Sequence, residues 1–171
     1  MHDFATSLAA SHAVSDAPFW AEIYAKAFPG GIMIDHRQDG EHQRAGVDRS
    51  IILPNSKQVL VDEKARFTDY GDILLEYWSD EARKIPGWVC KPLRCDFIAY
   101  AIVPRGWCYL LPVLALQSAW RAHGDKWIEQ HRRIEANNKT YRTISVGVPL
   151  ATLFAAIGQA LRIQFTAMEV A

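Results

Sequence analysis

The sequence predicts an α/β protein with a central mixed β-sheet of four or five strands flanked by helices. Two apolar segments, 47–53 and 58–65, are joined by a short polar turn and indicate a β-hairpin. Residues 18–28 carry apolar side chains at helical spacing. Half of the 171 residues are hydrophobic, which suffices for a buried core and argues against a disordered chain. We expect one domain over 1–171, with 1–14 as a loose N-terminal arm.

The first helix has recognisable start and stop signals. Ser15 and Asp16 are capping residue types, and Pro18 suits a first helical turn. The pattern extends to about Phe28 and ends at the Pro-Gly-Gly run that follows. Residues 35–43 are dense in charge and histidine, and this composition predicts a loop.

The hairpin turn lies at 54–56, where proline, asparagine and serine are typical turn residues. The apolar segment 73–78 follows a polar stretch. Because this segment is short, the spacing of its apolar residues fits either a strand or the start of a helix. We favour a third strand.

The remaining elements alternate between strands and helices. Residues 96–103 predict a buried strand, and 106–111 its hairpin partner. A helix is expected over 112–135, with a candidate break near Gly124. A last strand over 143–148 and a last helix over 150–161 complete the chain.

Charge and cysteine content narrow the possible functions and cellular location. The formal net charge is zero, so the overall composition lacks the basic signature of many nucleic-acid-binding proteins. Basic residues do cluster between 121 and 142, either as a local DNA-binding groove or as a solvated helix face. The three cysteines fit no common zinc motif, and with no secretory signal they predict buried thiols in the cytoplasm. We expect no membrane span.

Charged residues stand at the ends of the hairpin strands, which are otherwise built of Ile, Leu and Val. Asp48 opens the first strand, and Asp62, Glu63 and Lys64 close the second. Because side chains alternate along a strand, Asp62 and Lys64 share a face and Glu63 points to the other. Carboxylates beside a lysine are suited to hold Mg²⁺ or Mn²⁺ and to orient a water against a phosphate. The competing interpretation is that these charges cap the hairpin and protect an edge.

The order of these residues resembles the PD-(D/E)XK nuclease superfamily, with Asp48 as the first acid and Asp62-Glu63-Lys64 as the (D/E)-x-Lys. Val47 stands where the motif often has proline. Downstream segments are similar to phage-type and Holliday-junction-resolvase-like members, and the resemblance covers residues 18–111. These segments are Gly71-Asp-Ile-Leu-Leu-Glu-Tyr77, Pro86-Gly87-Trp88 and Cys95-Asp-Phe-Ile-Ala-Tyr-Ala101.

The resemblance implies a restriction-endonuclease-like fold and a metal-dependent deoxyribonuclease. Asp48 and Asp62 would hold Mg²⁺ or Mn²⁺, and Lys64 would position the attacking water. The first helix of such folds often supplies another acid, for which Glu22 is the candidate; otherwise Glu22 pairs with Lys26. Glu76 is a further candidate ligand from the third strand.

The implied partner is DNA, and a homodimer is a candidate assembly. Candidate DNA contacts are Arg66, Lys139 and Arg142, with Arg132 and Arg133 nearby. The alternative function is a non-catalytic DNA-binding or protein-interaction module that keeps the fold, such as a phage or prophage accessory protein. His36 and His42, lacking partners at ligand spacing, are interpreted as surface histidines.

Overall fold

The computed structural model describes residues 17–138, 140–158 and 160–167, and the fold is α/β with a mixed sheet. The expected arm at 1–14 lies outside the described residues. The strands form two sheets, where the sequence predicts one.

The larger sheet has six strands in the order β1-β2-β3-β6-β7-β10. Strands β3 and β6 run parallel and the other neighbours run antiparallel, so the sheet is mixed as expected. The predicted hairpin is confirmed, with Ile52 opposite Gln58 at its turn. The strands are β1 (Ile32–Asp35), β2 (Arg49–Ile52), β3 (Gln58–Arg66), β6 (Phe97–Ile102), β7 (Trp107–Pro112) and β10 (Leu161–Gln164).

The smaller sheet is antiparallel, in the order β5-β4-β9-β8. It contains the predicted third strand, which therefore leaves the hairpin's sheet. Gly71 has a φ of +71° just before this strand, a backbone conformation that glycine adopts readily. The strands are β4 (Asp72–Asp80), β5 (Ile85–Pro86), β8 (Arg132–Asn137) and β9 (Arg142–Pro149).

The helices agree with the predictions at their starts more than at their ends. They are α1 (Phe19–Ala27), α2 (Gly40–Arg44), α3 (Val113–Gln130) and α4 (Leu150–Ile157), with a 3₁₀ turn at Val103–Arg105. Helix α3 continues through Gly124, where a Cβ would meet the Trp120 ring at 3.0 Å. It ends five residues earlier than expected, because the following residues pair with β9 as strand β8. Gly158, with a φ of +78°, ends α4, and β10 replaces its predicted last turn.

Two apolar clusters cover the two faces of the larger sheet. One joins α1 to residues such as Val61 and Ala99. The other lies between the two sheets and includes residues of α3 and α4. Since side chains alternate, Val61 and Glu63 face α1, whereas Asp62 and Lys64 face the second sheet.

Two further expectations concern thiols and membranes. Cys95 and Cys108 are buried free thiols, but Cys90 is exposed. None of the helices described is both long and apolar enough to cross a bilayer.

Candidate metal centre

Asp48 lies immediately before β2, and its backbone and side chain are both anchored to β3. Its backbone N–H donates to the Val61 carbonyl at 2.9 Å. Its Oδ2 accepts a 2.8 Å hydrogen bond from the backbone N–H of Glu63. Asp62 is near enough for its charge to raise the pKa of the Asp48 carboxyl group. The hairpin therefore makes the two predicted metal ligands neighbours.

Lys64 completes this group from the same strand as Asp62. Its Nζ lies 2.6 Å from Oδ1 of Asp62. The Asp62 side chain is 7% exposed and that of Lys64 is 31% exposed. The acid is thus nearly covered by protein, while part of the lysine side chain is exposed. The structure brings Asp48, Asp62 and Lys64 together, as the sequence predicts.

The close approach of these charges shifts their protonation. Burial, together with the charge and hydrogen bond of Asp62, raises the pKa of Asp48 to about 6. Burial alone would lower the pKa of Lys64, but the negative charges of Asp62 and Asp48 outweigh it and raise that pKa. Lys64 is therefore a cation at neutral pH. The raised pKa of Asp48 reflects a repulsion that a metal ion between the two carboxyl groups would offset.

Glu76 approaches the group from β4 in the second sheet. Burial raises its pKa, while the charge of Lys64 lowers it and that of Asp62 raises it further. A Cβ at Gly87 would lie 2.3 Å from the Glu76 carbonyl oxygen, so the chain passes too closely here for any larger residue. Glu76 is thus near enough to Lys64 and Asp62 for their charges to affect its pKa.

Asp48 and Asp62 together with Lys64 make a coherent chemical set. Carboxylate oxygens are the ligands that Mg²⁺ and Mn²⁺ prefer, and two of them leave room for water and a phosphate oxygen. Asp48 and Asp62 therefore suit a divalent cation. Glu76 does not complete a close set of three with them, because among the described residues such a set, within 4.8 Å, is formed by His36, Asp39 and His42.

Glu63 lies on the opposite face, as its position in the strand predicts. Its Oε1 accepts hydrogen bonds from Arg49 Nε at 2.6 Å and from the Tyr24 hydroxyl at 2.9 Å. Its side chain is 3% exposed, and among the described residues no partner is found for Oε2. Burial raises its pKa to about 7, against the opposing effect of Arg49. This residue is a structural anchor for α1.

The assignment of Glu22 as a third metal ligand is wrong in this geometry. Helix α1 packs on the face of the sheet opposite to Asp62, so Glu22 cannot reach the centre. Its carboxylate instead lies 2.7 Å from Lys26 Nζ and accepts a 3.1 Å hydrogen bond from the Thr166 backbone N–H. The competing interpretation, an i,i+4 pair with Lys26, is the one observed.

The candidate DNA contacts differ in their exposure and in their acidic partners. Arg66 is only 10% exposed and pairs with the carboxylate and carbonyl oxygen of Asp72, so it is unsuited to hold DNA. Arg142 is 47% exposed but is held by Glu81 and by Glu135 at 3.0 Å. Lys139 lies outside the described residues. Acidic neighbours therefore neutralise much of the basic cluster that the sequence suggests.

An arginine–tyrosine stack gives a better basic surface, and the sequence did not single it out. The guanidinium of Arg132 lies 4.4 Å from the centre of the Tyr70 ring. Tyr70 is 61% exposed and the Arg132 side chain 51% exposed. Arg66 supports the ring from 5.0 Å. Tyr70 and Arg132 are 62 positions apart in the chain, so no local sequence pattern could have paired them.

The charged segment 35–43 is more ordered than predicted. It contains the end of β1 and most of α2, and Asp39 caps that helix by accepting from the backbone N–H groups of Glu41 and His42. His36 and His42 are partly exposed, but they do have partners that the sequence did not reveal, because they and Asp39 form one cluster of ligand atoms within 4.8 Å of one another.

Searches with family models, among curated proteins and among solved structures gave no match to this chain. Its function must therefore be inferred from the geometry of its own residues.

Proposed function

We propose that this protein is a metal-dependent deoxyribonuclease of the PD-(D/E)XK type with a restriction-endonuclease-like core, which hydrolyses phosphodiester bonds with Mg²⁺ or Mn²⁺. The observation that carries the proposal is the convergence of Asp48, Asp62 and Lys64 on one face of a β-hairpin. A structural role would not require the buried Asp62 carboxyl group to lie beside the half-buried carboxyl group of Asp48, since that arrangement costs free energy.

Asp48 and Asp62 are the residues that would hold the cation, with Glu76 nearby on the second sheet as a third acid. A hydrogen bond from the main-chain N–H of Glu63 orients Asp48. Such fixed orientation reduces the reorganisation needed on binding. When bound, Mg²⁺ would lower the pKa of a coordinated water and offset the charge on the phosphate oxygens.

Lys64 has a separate task. Because its pKa is raised, the side chain keeps its proton and cannot serve as the general base at neutral pH. It would instead donate hydrogen bonds that orient the attacking water and stabilise the charge developing on the phosphate. In hydrolysis the water oxygen bonds to phosphorus and loses a proton to solvent, the bond from phosphorus to the leaving oxygen breaks, and that oxygen takes a proton from solvent.

Arg132 and Tyr70 are the residues that we assign to the DNA backbone. Arginine supplies many phosphate contacts, and an exposed tyrosine ring can stack on an unpaired base. Arg132 lies in the second sheet, beside β9, which in turn pairs with the strand that carries Glu76. The proposed contact therefore belongs to the same sheet as the third acid.

The alternative is a non-catalytic DNA-binding or protein-interaction module with the same fold. One observation favours it: Arg133 and Arg142 both pair with Glu81 and Glu135, which leaves little uncompensated positive charge. Against it, the acid–acid–lysine set is complete, and a retired site has no need to keep all three.

The decisive experiment is cleavage of labelled duplex, single-stranded and branched DNA with Mg²⁺, Mn²⁺ or Ca²⁺. The wild type should cut at least one substrate with Mg²⁺ or Mn²⁺, and Asp62→Asn should not. Glu22→Gln is the matched control, since it removes an acid on the other face and should cut normally. If the wild type cuts none of these DNAs and calorimetry detects no Mg²⁺ or Mn²⁺ binding, the proposal fails and the non-catalytic module replaces it.

A further inference from the structure

Residues His36, Asp39 and His42 form a second group of ligands beside the first centre. Their side-chain ligand atoms all lie within 4.8 Å of one another. Asp39 is the N-cap of α2, and His42 follows three residues later on the first turn of that helix. His42 Nδ1 lies 2.8 Å from Asp39 Oδ2. The two imidazole rings are stacked, with centroids 4.0 Å apart and planes 6° from parallel.

Each ring keeps one nitrogen beyond its contacts in the described chain. The His42 contact with Asp39 uses Nδ1 and leaves Nε2. The Nε2 of His36 lies 2.5 Å from Ser50 Oγ, which leaves Nδ1. Ser50 also accepts a 2.8 Å hydrogen bond from the Gln58 side-chain amide. For His36, the contact with Ser50 resembles the second shell of metal sites, where the remote nitrogen of a histidine ligand is held by a polar group. For His42, the contact with Asp39 is one that an ion would replace, because Asp39 cannot hold the remote nitrogen of His42 and ligate the same ion.

We propose that His36, Asp39 and His42 bind a zinc-class divalent cation, with water completing its coordination. Two imidazoles and one carboxylate suit Zn²⁺, Co²⁺ or Ni²⁺, whereas Mg²⁺ prefers oxygen ligands alone. Binding requires the two rings to rotate out of their parallel stack, so that both lone pairs point at one ion. The three side chains are half-buried or exposed, which leaves space for this rotation.

This histidine site is linked through the main chain to Asp48 of the first centre. The backbone N–H of His36 donates a 2.8 Å hydrogen bond to the Asp48 carbonyl. An ion held by His36 would therefore fix the segment that lies against Asp48. The proposal does not depend on nuclease activity, because its ligands are distinct from Asp48, Asp62 and Glu76.

The test uses the full-length, tag-free protein after treatment with a chelator. Zn²⁺ binding is measured by calorimetry, and Co²⁺ binding by its visible absorption, in the wild type, His42→Ala, Asp39→Asn and Asp62→Asn. Asp39→Asn keeps a capping side chain for α2 while removing the negative ligand. Metal-free circular dichroism and thermal unfolding confirm that each variant is folded.

The wild type and Asp62→Asn should bind one equivalent of Zn²⁺ with equal affinity. His42→Ala should lose affinity at least tenfold, and Asp39→Asn should weaken it as well. Absence of Zn²⁺ binding in the wild type would overturn the proposal. So would binding that survives in His42→Ala but disappears in Asp62→Asn, because the ion would then occupy the first centre.

Discussion

The backbone N–H of Glu63 donates a 2.8 Å hydrogen bond to Oδ2 of Asp48. This contact joins the first acid to the strand that carries the second, so the spacing of the two carboxylates is set by main-chain geometry. A main-chain donor cannot be lost by substitution at residue 63, except to proline. Glu63 itself can therefore vary in side chain without releasing Asp48.

The metal ligands can be separated from other acids by two conservative substitutions. Asp62→Asn should lower Mg²⁺ affinity at least about a hundredfold, since even outer-shell partners contribute 10–100-fold. Glu22→Gln should leave that affinity unchanged, because Glu22 lies on the far face with Lys26. Calorimetry with Mg²⁺ or Mn²⁺ measures both. Equal losses in the two variants would contradict the placement of the centre.

Removing Lys64 should separate catalysis from metal binding. In Lys64→Met we expect cleavage to fall by about 10²–10³, the usual effect of deleting one donor that stabilises transition-state charge. Mg²⁺ affinity should be kept or increased, because the ammonium group 2.6 Å from Asp62 competes with the cation. Single-turnover cleavage and calorimetry report the two effects. Weaker metal binding in this variant would argue against the proposed division of roles.

Metal binding should depend on pH through Asp48. Its pKa is raised to about 6, so below that pH a bound proton must leave before the ion can enter. Apparent Mg²⁺ affinity should fall by up to about tenfold for each pH unit below 6. Calorimetry in buffers of different ionisation enthalpy should show proton release near pH 6 and little at pH 8. A Mg²⁺ affinity that stays constant between pH 5 and pH 8 would contradict this prediction.

Two carboxyl groups with raised pKa values, those of Asp48 and Glu63, predict how the stability of the metal-free protein changes with pH. Asp48 and Glu63 have raised pKa values of about 6 and about 7, so the folded state holds protons that the unfolded chain has already released. Their stabilising contribution is full below about pH 4 and is lost as pH rises through 6 and 7. Urea unfolding should show this loss between pH 4.5 and pH 7.5. Glu63→Gln should reduce it.

Arg49 should be critical for stability on the α1 face. Its side chain is 6% exposed and its Nε lies 2.6 Å from the buried Glu63 carboxylate. Arg49→Met would leave that charge without compensation and should lower the free energy of unfolding by about 3–5 kcal/mol. The double variant Arg49→Met with Glu63→Leu should recover much of the loss. Urea unfolding of the single and double variants measures both, and additive losses would be the opposite outcome.

The Arg132–Tyr70 stack should affect DNA affinity and leave metal binding unaffected. Arg132→Ala should weaken DNA binding and reduce its salt dependence by about one counterion. Arg83→Ala is a matched control, because Arg83 is 72% exposed and pairs only loosely with Asp80 at 3.4 Å. Fluorescence anisotropy over a range of salt concentrations distinguishes them. Equal effects of the two substitutions would remove Arg132 from the proposed surface.

Local patterns predicted the hairpin and its charged group because the whole signal lies within Asp48–Lys64. Alternation placed Asp62 and Glu63 on opposite faces, and the turn at 54–56 set the register. The third strand was recognised, but its departure to a second sheet depends on packing between distant apolar residues. The helix predicted over 112–135 runs too far, because the pairing of residues from Arg132 onward with β9 is a tertiary contact that no local pattern reveals. Glu22 was misassigned because its position in sequence does not reveal which side of the sheet α1 covers.

Strand β3 pairs with β2 over Gln58–Val61 and with β6 over Val61–Arg66, so only Val61 has a strand partner on both sides. Asp62 and Lys64 lie just past the point where pairing with β2 stops, and there the Glu63 N–H donates to the Asp48 side chain instead of to a strand. The amide proton of Glu63 should therefore exchange with solvent when Asp48 moves away, without opening of the whole protein. A cation that fixes Asp48 would slow that exchange and would also protect the whole molecule against unfolding.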